Sequence, residues 1–328
     1  MAWSTVLKFT DPLACQAAIQ EADVEVFPTA RGRFDTEIVE IRFERLWMQR
    51  FHSSLPQVIT VVQKPDRKAI TFLTEPKSRR LQYCGVNVLP GDIIINRTQM
   101  MHIRFDADIR SGGMSLPAGE LEAAFEAVTG REFSESQQKA LMHPDAVSVS
   151  RLLSLHKAVG QLAHDAPDVL ILPEVGRAFE EQLIHLMVRC LVQGVATMTT
   201  TGSRRHDAIV DRFEAFLGAN PGRPLYLTEI CSAIGTAERT LRAACEQHLG
   251  MGPVRYLTLR RMHLVRRALL RADPSNSTVT RIVTDHGFWE LGRFSVAYRA
   301  LFNETPSETL RRPQKHTACL NRPSSLVA

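Results

Sequence analysis

The stretch "TDHGFWELGRFSVAYRALFNETPSE", residues 284–308, decides the fold of the C-terminal third of the chain. After Gly287 the apolar residues recur every three or four positions, which predicts an amphipathic helix over residues 290–302. Asn303 follows, and asparagine is a good residue for the left-handed end of a helix. The stretch therefore predicts two short helices that meet at a glycine elbow.

An earlier stretch, residues 228–255, repeats this pattern. Gly235 matches Gly287 at an offset of 52 residues, and Pro253 matches Pro306 at an offset of 53 residues. Each copy predicts a helix, a glycine turn and a second helix that buries one face and exposes the other. This is the helix-turn-helix arrangement, in which the second helix, the recognition helix, lies in the major groove of DNA.

A longer helix is predicted between the two copies. Pro253 fits the first position of a helix that runs to about Ala272. Its apolar inner stripe is expected to consist of Val254, Leu257, Leu264, Val265, Ala268 and Leu269. Such a helix spans roughly 27–30 Å, and one turn of DNA measures about 34 Å. The spacing therefore favours two recognition helices that read adjacent segments of one duplex.

The distribution of charge supports a polyanionic partner. Residues 1–203 contain 21 Lys and Arg against 24 Asp and Glu, a balance of −3, whereas residues 204–315 contain 18 against 11, a balance of +7. Of the 18 cationic residues in that basic half, 17 are arginine. A basic half joined to a near-neutral half favours nucleic acid as the partner, although a solvated basic face would give the same charge.

The N-terminal half reads as strands followed by helices. Short β-branched and aromatic runs separated by turn residues predict a β region over about 24–116, as a sandwich or a small barrel. Helices are predicted over about 117–196, and the polar segment 197–205 is predicted to be the domain boundary. One helix in this region has a broad apolar stripe at Val175, Phe179, Leu183, Leu186 and Met187, which either covers the β region or forms an oligomer interface.

Residues 205–312 resemble the DNA-binding domain of the AraC/XylS transcription regulators. The resemblance rests on the first elbow, Gly250-x-Gly-Pro253, "LRRMHLVRRALL" at 259–270, Ile282, Gly287-Phe288, Phe294, Tyr298, Thr305-Pro306 and the terminal arginine pair. Residues 287–310 are also similar to ethanolamine-utilisation regulators. The chain departs from the family pattern at three positions: Ala237 replaces the usual serine cap, Cys245 the usual phenylalanine and Asn303 the usual glycine.

The resemblance implies an α+β protein with an N-terminal cupin-like β-barrel and following helices, then an all-α domain with two helix-turn-helix units joined by a long helix. The domains expected are an effector-binding and dimerisation domain at 1–200, a DNA-binding domain at 205–315 and a flexible tail at 316–328. The metal set of cupin enzymes is missing, because His52 and His102 are far apart in the sequence and form no H-x-H pair. No metal or cofactor is therefore expected. The arginines at 31–33 and 79–80 are either effector contacts or, as we favour, solvated loop residues.

The residues expected to contact DNA lie on the exposed faces of the two recognition helices. On the first, over 237–248, they are Glu238, Arg239, Arg242 and Ala243, with Arg239 and Arg242 as the candidates for reading guanine. On the second they are Glu290, Gly292, Arg293, Ser295, Val296 and Arg299, a set that favours backbone contact over base reading. Arg255, Arg260, Arg311 and Arg312 are candidates for phosphate contacts, and Arg261 is expected to be structural.

These features predict a sequence-specific transcription regulator that responds to a small-molecule effector. The expected partners are double-stranded DNA, RNA polymerase, an effector and a second copy of the chain, and the expected location is the cytoplasm, with no membrane segment. Two alternatives remain at this point: a cupin-type enzyme with a basic accessory domain, and an architectural DNA-binding protein without sequence preference.

Overall fold

The computed structural model of the chain describes residues 2–19, 22–63, 66–75, 81–95, 100–106, 108–133, 141–197, 201–220 and 223–312. Its contacts divide the chain into two compact units. The first unit contains Met1–Pro221 and Leu225–Arg260, and the second contains Gly222–Pro224 and Arg261–Ala328. The predicted tail, 316–328, lies outside the described residues. None of the described helices is both long enough and apolar enough to cross a membrane.

Thirteen strands are described in the first unit, and they pair into two sheets. The strands are β1 (Trp3–Phe9), β2 (Ala22–Pro28), β3 (Thr36–Arg42), β4 (Trp47–Ser53), β5 (Gln57–Gln63), β6 (Arg67–Leu73), β7 (Leu81–Tyr83), β8 (Val86–Val88), β9 (Ile93–Ile95), β10 (Met100–Phe105), β11 (Ile109–Pro117), β12 (Leu141–His143) and β13 (Val195–Thr197). The large sheet has the order β1-β3-β4-β11-β6-β9-β12-β13, and the small sheet has the order β2-β5-β10-β7-β8.

The expectation of a closed barrel is wrong for the described residues. The two sheets share no ladder, and each ends in edge strands, β1 and β13 in the large sheet and β2 and β8 in the small one. The strands also extend beyond 24–116, because β1 precedes this range and β12 and β13 follow it. Both of these late strands are only three residues long and lie among helices, so the local sequence signal for a strand is weak.

Twelve helices are described along the chain. Those of the N-terminal half are α1 (Pro12–Ala18), α2 (Ala118–Thr129), α3 (Ala146–Asp165), α4 (Pro167–Ile171) and α5 (Pro173–Gln193). The remaining helices are α6 (Thr201–Ala219), α7 (Leu227–Ala233), α8 (Glu238–Leu249), α9 (Pro253–Arg271), α10 (Val279–Asp285), α11 (Leu291–Phe302) and α12 (Pro306–Leu310). Helix α6 already begins within the predicted linker 197–205, of which residues 198–200 are outside the described part.

The apolar stripe of α5 covers the large sheet. Leu183 and Met187 are buried in one hydrophobic core with Met48, Ile70 and other residues of that sheet, and Phe179 and Leu186 pack against this core. Burial of this area from water stabilises the packing of helix on sheet. Of the two roles considered for the stripe, covering the β region accounts for these four residues.

Candidate nucleic-acid interface

The first helix-turn-helix is formed by α7 and α8. Between them Gly235 has a φ of +63°, and after α8 Gly250 has a φ of +69°, both in the left-handed region that glycine adopts without steric cost. Leu241 and Cys245 of α8 are fully buried in a core that also contains Ile230 of α7. The predicted elbow and the predicted buried face are thus both present.

The opposite face of α8 is exposed. All four predicted DNA contacts on this helix lie there, namely Glu238, Arg239, Arg242 and Ala243. Arg242 forms an ion pair with Glu238 one turn earlier, at 3.1 Å, and both side chains are about half exposed. Exposed pairs of this kind are weak, so Arg242 can exchange its partner for a base or a phosphate. Arg239 forms no ion pair with any of the described residues.

The start of α8 has no side-chain cap. Its N-cap residue is Ala237, which has no side-chain acceptor, and the hydroxyl of Thr236 donates to the Ile234 carbonyl instead. Thr236 therefore does not take the place of the usual serine. The free amides at this end of the helix favour a negative group close by, which is the position of Glu238.

The second helix-turn-helix is formed by α10 and α11 within the second unit. Gly287 has a φ of +77°, and the Cβ of any other residue there would come within 2.7 Å of Pro224. Phe294 and Tyr298 of α11 are buried, with their ring centroids 5.4 Å apart. The six residues predicted to face DNA, Glu290, Gly292, Arg293, Ser295, Val296 and Arg299, are all exposed.

Two polar side chains on the exposed face of α11 already have partners within the chain. Arg293 forms an ion pair with Glu290 at 2.7 Å. The Ser295 hydroxyl donates to the Leu291 carbonyl at 2.9 Å, so its proton is already used within the helix. Val296, by contrast, is 73% exposed, a large apolar side chain held in solvent. The face therefore presents methyl groups and arginines, while contact of these residues with DNA stays a prediction.

Trp289 was missed by the sequence analysis. It is 73% exposed and lies two residues before the start of α11. The signal was available, because Trp289 precedes the helix and does not share the spacing of Phe294 and Tyr298. An exposed tryptophan beside a recognition helix is a further candidate contact for DNA.

Arg260 does not fit the prediction of a phosphate contact. Its guanidinium is 12% exposed and donates to Glu214 at 2.8 Å, while a second nitrogen lies 3.1 Å from Glu25. Both carboxylates come from elements distant in sequence, so no local pattern indicated this pairing. Arg260 is a structural residue of the first unit.

The other arginines considered for phosphate contact are exposed. Arg255 and Arg311 are exposed, and Arg312 is half exposed although it pairs with the buried Glu304 at 2.5 Å. Arg261 lies over the ring of Phe288, with 5.2 Å between the guanidinium carbon and the ring centroid, in agreement with a structural role.

The linking helix α9 has the predicted length but a different inner stripe. It spans Pro253–Arg271. Val254, expected inside, is 55% exposed, whereas Tyr256 is fully buried and lies 6.2 Å from Phe27 and 6.1 Å from Phe213, measured between ring centroids. The tyrosine is buried because β2 packs against α9, a contact between segments more than two hundred residues apart.

An apolar cavity of about 180 Å³ lies between the two sheets of the first unit. Its lining includes Val26, Ile59 and Met101 from the small sheet and Trp47, Ala69 and Gly113 from the large sheet. Arg67 is the one charged side chain among the described lining residues, and it donates to the Ser115 carbonyl at 2.7 Å and the Arg45 carbonyl at 3.1 Å. Arg31 and Arg33, considered as effector contacts or as solvated loop residues, are exposed and do not line this cavity, and residues 79–80 lie outside the described part.

In the part of the chain that the structure describes, neither His52 nor His102 belongs to a group of His, Cys, Asp or Glu residues that could hold a metal ion. His52 is hydrogen-bonded to Asp108 at 3.0 Å, while His102 is buried. Burial and, to a smaller extent, the charge of Arg260 together lower the pKa of His102 to about 4, so this side chain is neutral at pH 7. It functions as a packing residue.

Comparison with known proteins identifies the region that contains the two helix-turn-helix units. The family model described as "Helix-turn-helix domain" matches residues 230–312, from α7 to the end of α12. Residues 230–312 form a helix-turn-helix domain. The matched residues include the exposed faces of α8 and α11 described above, and among the relatives are proteins named as an operon regulatory protein and as an operon transcriptional activator.

Two curated relatives and one solved structure place the domain in context. The chain is 38% identical over 96 residues to the probable thc operon regulatory protein of Rhodococcus erythropolis, a match that spans 29% of each chain. It is 23% identical over 231 residues to the XylDLEGF operon transcriptional activator 1 of Pseudomonas putida, which spans 70% of each chain. The AraC-like transcriptional activator CuxR has 15% identity and a TM-score of 0.43 over 86% of this chain and 99% of its own.

Proposed function

We propose that this chain is a sequence-specific DNA-binding transcription regulator controlled by a small molecule. The observation that carries the proposal is the exposed face of α8, where Arg239 and Arg242 lie one turn apart opposite a fully buried core. Two arginines in this position can each bind the guanine O6 and N7 acceptors in the major groove. A second unit of the same pattern, with Arg293 and Arg299, adds backbone contacts.

Its relatives support an activating role. The Pseudomonas protein is named as a transcriptional activator, and we propose the same sign of regulation here, with RNA polymerase as a partner and a homodimer as the active form. A regulator of this kind acts on the chromosome, which in bacteria places it in the cytoplasm. From the similarity of residues 287–310 to ethanolamine-utilisation regulators, we also propose that the chain belongs to a subgroup that includes these proteins. This similarity does not identify the effector.

We further propose that separate segments of the chain carry separate functions. Residues 1–200 bind the effector and form dimers, residues 205–315 bind DNA, and residues 316–328 form a tail. The two stacked antiparallel sheets and the apolar cavity between them support the first assignment, as a relative of the cupin-like effector domain whose sheets remain open. No metal is assigned to this cavity, because its described lining residues contain no histidine or carboxylate.

Selection of binding sites from a random DNA pool by the full chain tests the proposal. Enrichment of one motif, bound at least about a thousandfold more tightly than random DNA, is the expected result. Equal binding of all sequences would favour the architectural alternative. Tightly bound stoichiometric zinc, iron or manganese in the purified protein, together with no DNA binding, would favour the cupin-type enzyme.

A further inference from the structure

Strands β2, β5 and β10 form one continuous layer in the first unit, and their register places cross-strand residues in rows. Val61 is paired with Val24 on one side and with Met101 on the other, and Ile59 is paired in the same way with Val26 and Ile103. Since successive side chains of a strand point to opposite faces, these two rows lie on one face of the layer and the rows between them lie on the other. We call this layer the wall.

One face of the wall lines the apolar cavity. The rows Val24–Val61–Met101 and Val26–Ile59–Ile103 all contribute to its lining. An apolar cavity of about 150 Å³ in a protein core stays dry and accepts benzene. The cavity behind the wall, at about 180 Å³, is therefore large enough for a substituted benzene ring.

The other face of the wall packs against the first helix-turn-helix. Phe27 and Val58, paired across β2 and β5, are buried in the core that holds Ile230 of α7 and Leu241 of α8. Arg104, the next residue of this row, packs its guanidinium against Gly250 at the end of α8, where a Cβ would collide with it. The first recognition helix thus packs against one cross-strand row of the wall, which consists of Phe27, Val58 and Arg104.

The second row on this face is polar, and two of its three residues, Thr60 and His102, are buried. It consists of Glu25, Thr60 and His102. Glu25 pairs with Arg260 of α9, and the Nε2 atom of His102 lies 3.8 Å from the Oε1 atom of Glu214 in α6, too far for a hydrogen bond. Neither of these two buried atoms has a hydrogen-bond partner among the described residues. Leaving buried polar atoms of this kind without a partner costs free energy.

We propose that the cavity binds an uncharged apolar ring of about the size of a substituted benzene, and that the wall transmits its binding to the first recognition helix. One layer of backbone separates the two sites, so a ligand that presses on Ile59 or Met101 moves Val58 and His102 with it. Coupling requires that the ligand binds more tightly when the wall is displaced than when it is not, and contact of the ligand with Ile59 and Met101 provides this difference in affinity. The transmission to DNA rests on the proposed function, whereas the binding of the ring does not.

Bromobenzene binding to the full chain tests the cavity. Trp47 lines the cavity, and a bromine atom in contact with an indole ring quenches the fluorescence of that ring. We therefore expect saturable quenching of the tryptophan fluorescence by bromobenzene. This quenching should be lost in Trp47→Phe. Gly113→Val fills the cavity, because a Cβ at Gly113 meets its neighbours only at ordinary contact distances of 3.7 Å and more. This variant is expected to weaken binding at least tenfold. Toluene is expected to compete, and a hexose is not.

Hydrogen exchange in the presence of bromobenzene tests transmission. Slower exchange is expected in β5 and β10 and also in α6, α8 and the first half of α9, by about fivefold or more. Val58→Ala removes part of the wall surface that contacts the first helix-turn-helix. In this variant, bromobenzene is expected to slow hydrogen exchange only in the strands and to quench the tryptophan fluorescence as in the unaltered chain. Val39→Ala removes the same atoms from the helix-covered side of the large sheet and serves as the matched control.

The outcomes separate the two proposals. Absence of quenching, or equal quenching in Gly113→Val, overturns the assignment of the cavity. Protection confined to the strands in the unaltered chain overturns the transmission through the wall. If exchange in α8 responds as expected but the chain enriches no DNA motif, then the proposed function fails while the inference about the cavity and wall stands.

Discussion

At the scale of single residues, the arginines of the two recognition helices are expected to differ in role. Arg239→Ala or Arg242→Ala should remove a base contact, which costs about 1–3 kcal/mol and relaxes the preference at one base pair. Arg299→Ala should weaken binding to all sequences alike and lower the salt slope by about one unit. Site selection and salt titration for each variant measure this. If Arg299→Ala changes the selected motif while both α8 variants retain it, the assignment is wrong.

Arg260 should behave as a structural residue despite its place in the basic half. Arg260→Met leaves Glu214, which is 2% exposed, as a buried charge without its partner, so the free energy of unfolding should fall by about 3–5 kcal/mol. The double variant Arg260→Met, Glu214→Leu should recover much of this loss. Urea unfolding measures both. A single variant with unchanged stability and a lower salt slope of DNA binding would restore Arg260 as a phosphate contact.

His102 should make the protein sensitive to acid. Its pKa lies at about 4 in the folded chain and near 6.5 when unfolded, so below pH 6.5 the unfolded state takes up the proton first. Stability is therefore lost as pH falls from 6.5 to 4, by up to about 1.4 kcal/mol per pH unit from this residue. Asp207, with a pKa raised by burial to about 6, acts in the opposite direction over part of this range.

The comparison with His102→Gln isolates this contribution, because the aspartates are the same in both proteins. The free energy of unfolding, measured by denaturant titration between pH 4 and pH 7, should decline less steeply in the variant. Parallel curves for the two proteins would mean that His102 keeps an ordinary pKa in the folded chain.

At the scale of elements, the two recognition helices end in the same backbone conformation with different residues. Asn303 has a φ of +58° and Gly250 a φ of +69°. The guanidinium of Arg104 occupies the space that a Cβ at Gly250 would need, although Gly250 and Asn303 are both exposed. A side chain at this helix end is therefore present in the second copy, whereas in the first copy it would require Arg104 to move.

A reciprocal exchange tests this reason. Asn303→Gly should stabilise the chain by at most about 1 kcal/mol, since it only relieves the left-handed backbone. Gly250→Asn should destabilise it by clearly more, because the side chain collides with Arg104 as well. Thermal unfolding of the two variants gives the comparison, and Gly250→Asn with Arg104→Ala should regain part of the loss. Equal and small effects at both positions would contradict the packing explanation.

At the scale of the whole molecule, the first helix-turn-helix shares its core with a sheet that precedes it in the chain. A fragment of residues 205–315 lacks Phe27 and Val58, so it exposes apolar surface that the full chain buries. We expect the fragment to select the same DNA motif as the full chain but to unfold at a lower temperature and to bind the dye ANS. A fragment as stable as the full chain would show that the shared core contributes little.

The parts of the fold that depend on neighbours in the sequence could be predicted. The glycine elbows, the exposed faces of α8 and α11 and the covering face of α5 follow from spacing over a few turns of helix. The parts that depend on distant pairing could not. The partners of Arg260, the burial of Tyr256 and the order of the strands in the two sheets arise from contacts between residues far apart in the chain. The exposure of Trp289 was not predicted, although this residue does not share the spacing of Phe294 and Tyr298.

The alternation of side chains along β2, β5 and β10 also separates two inherited properties of the protein. Under the proposed coupling, substitutions at Val61, Ile59 or Met101 are expected to alter which compound is recognised, whereas substitutions at their immediate neighbours Thr60, Val58 and His102 are expected to alter how strongly the first helix-turn-helix responds. On that proposal, a lineage acquires a new effector by changing every second codon of three short segments, and keeps its response by leaving the codons between them untouched.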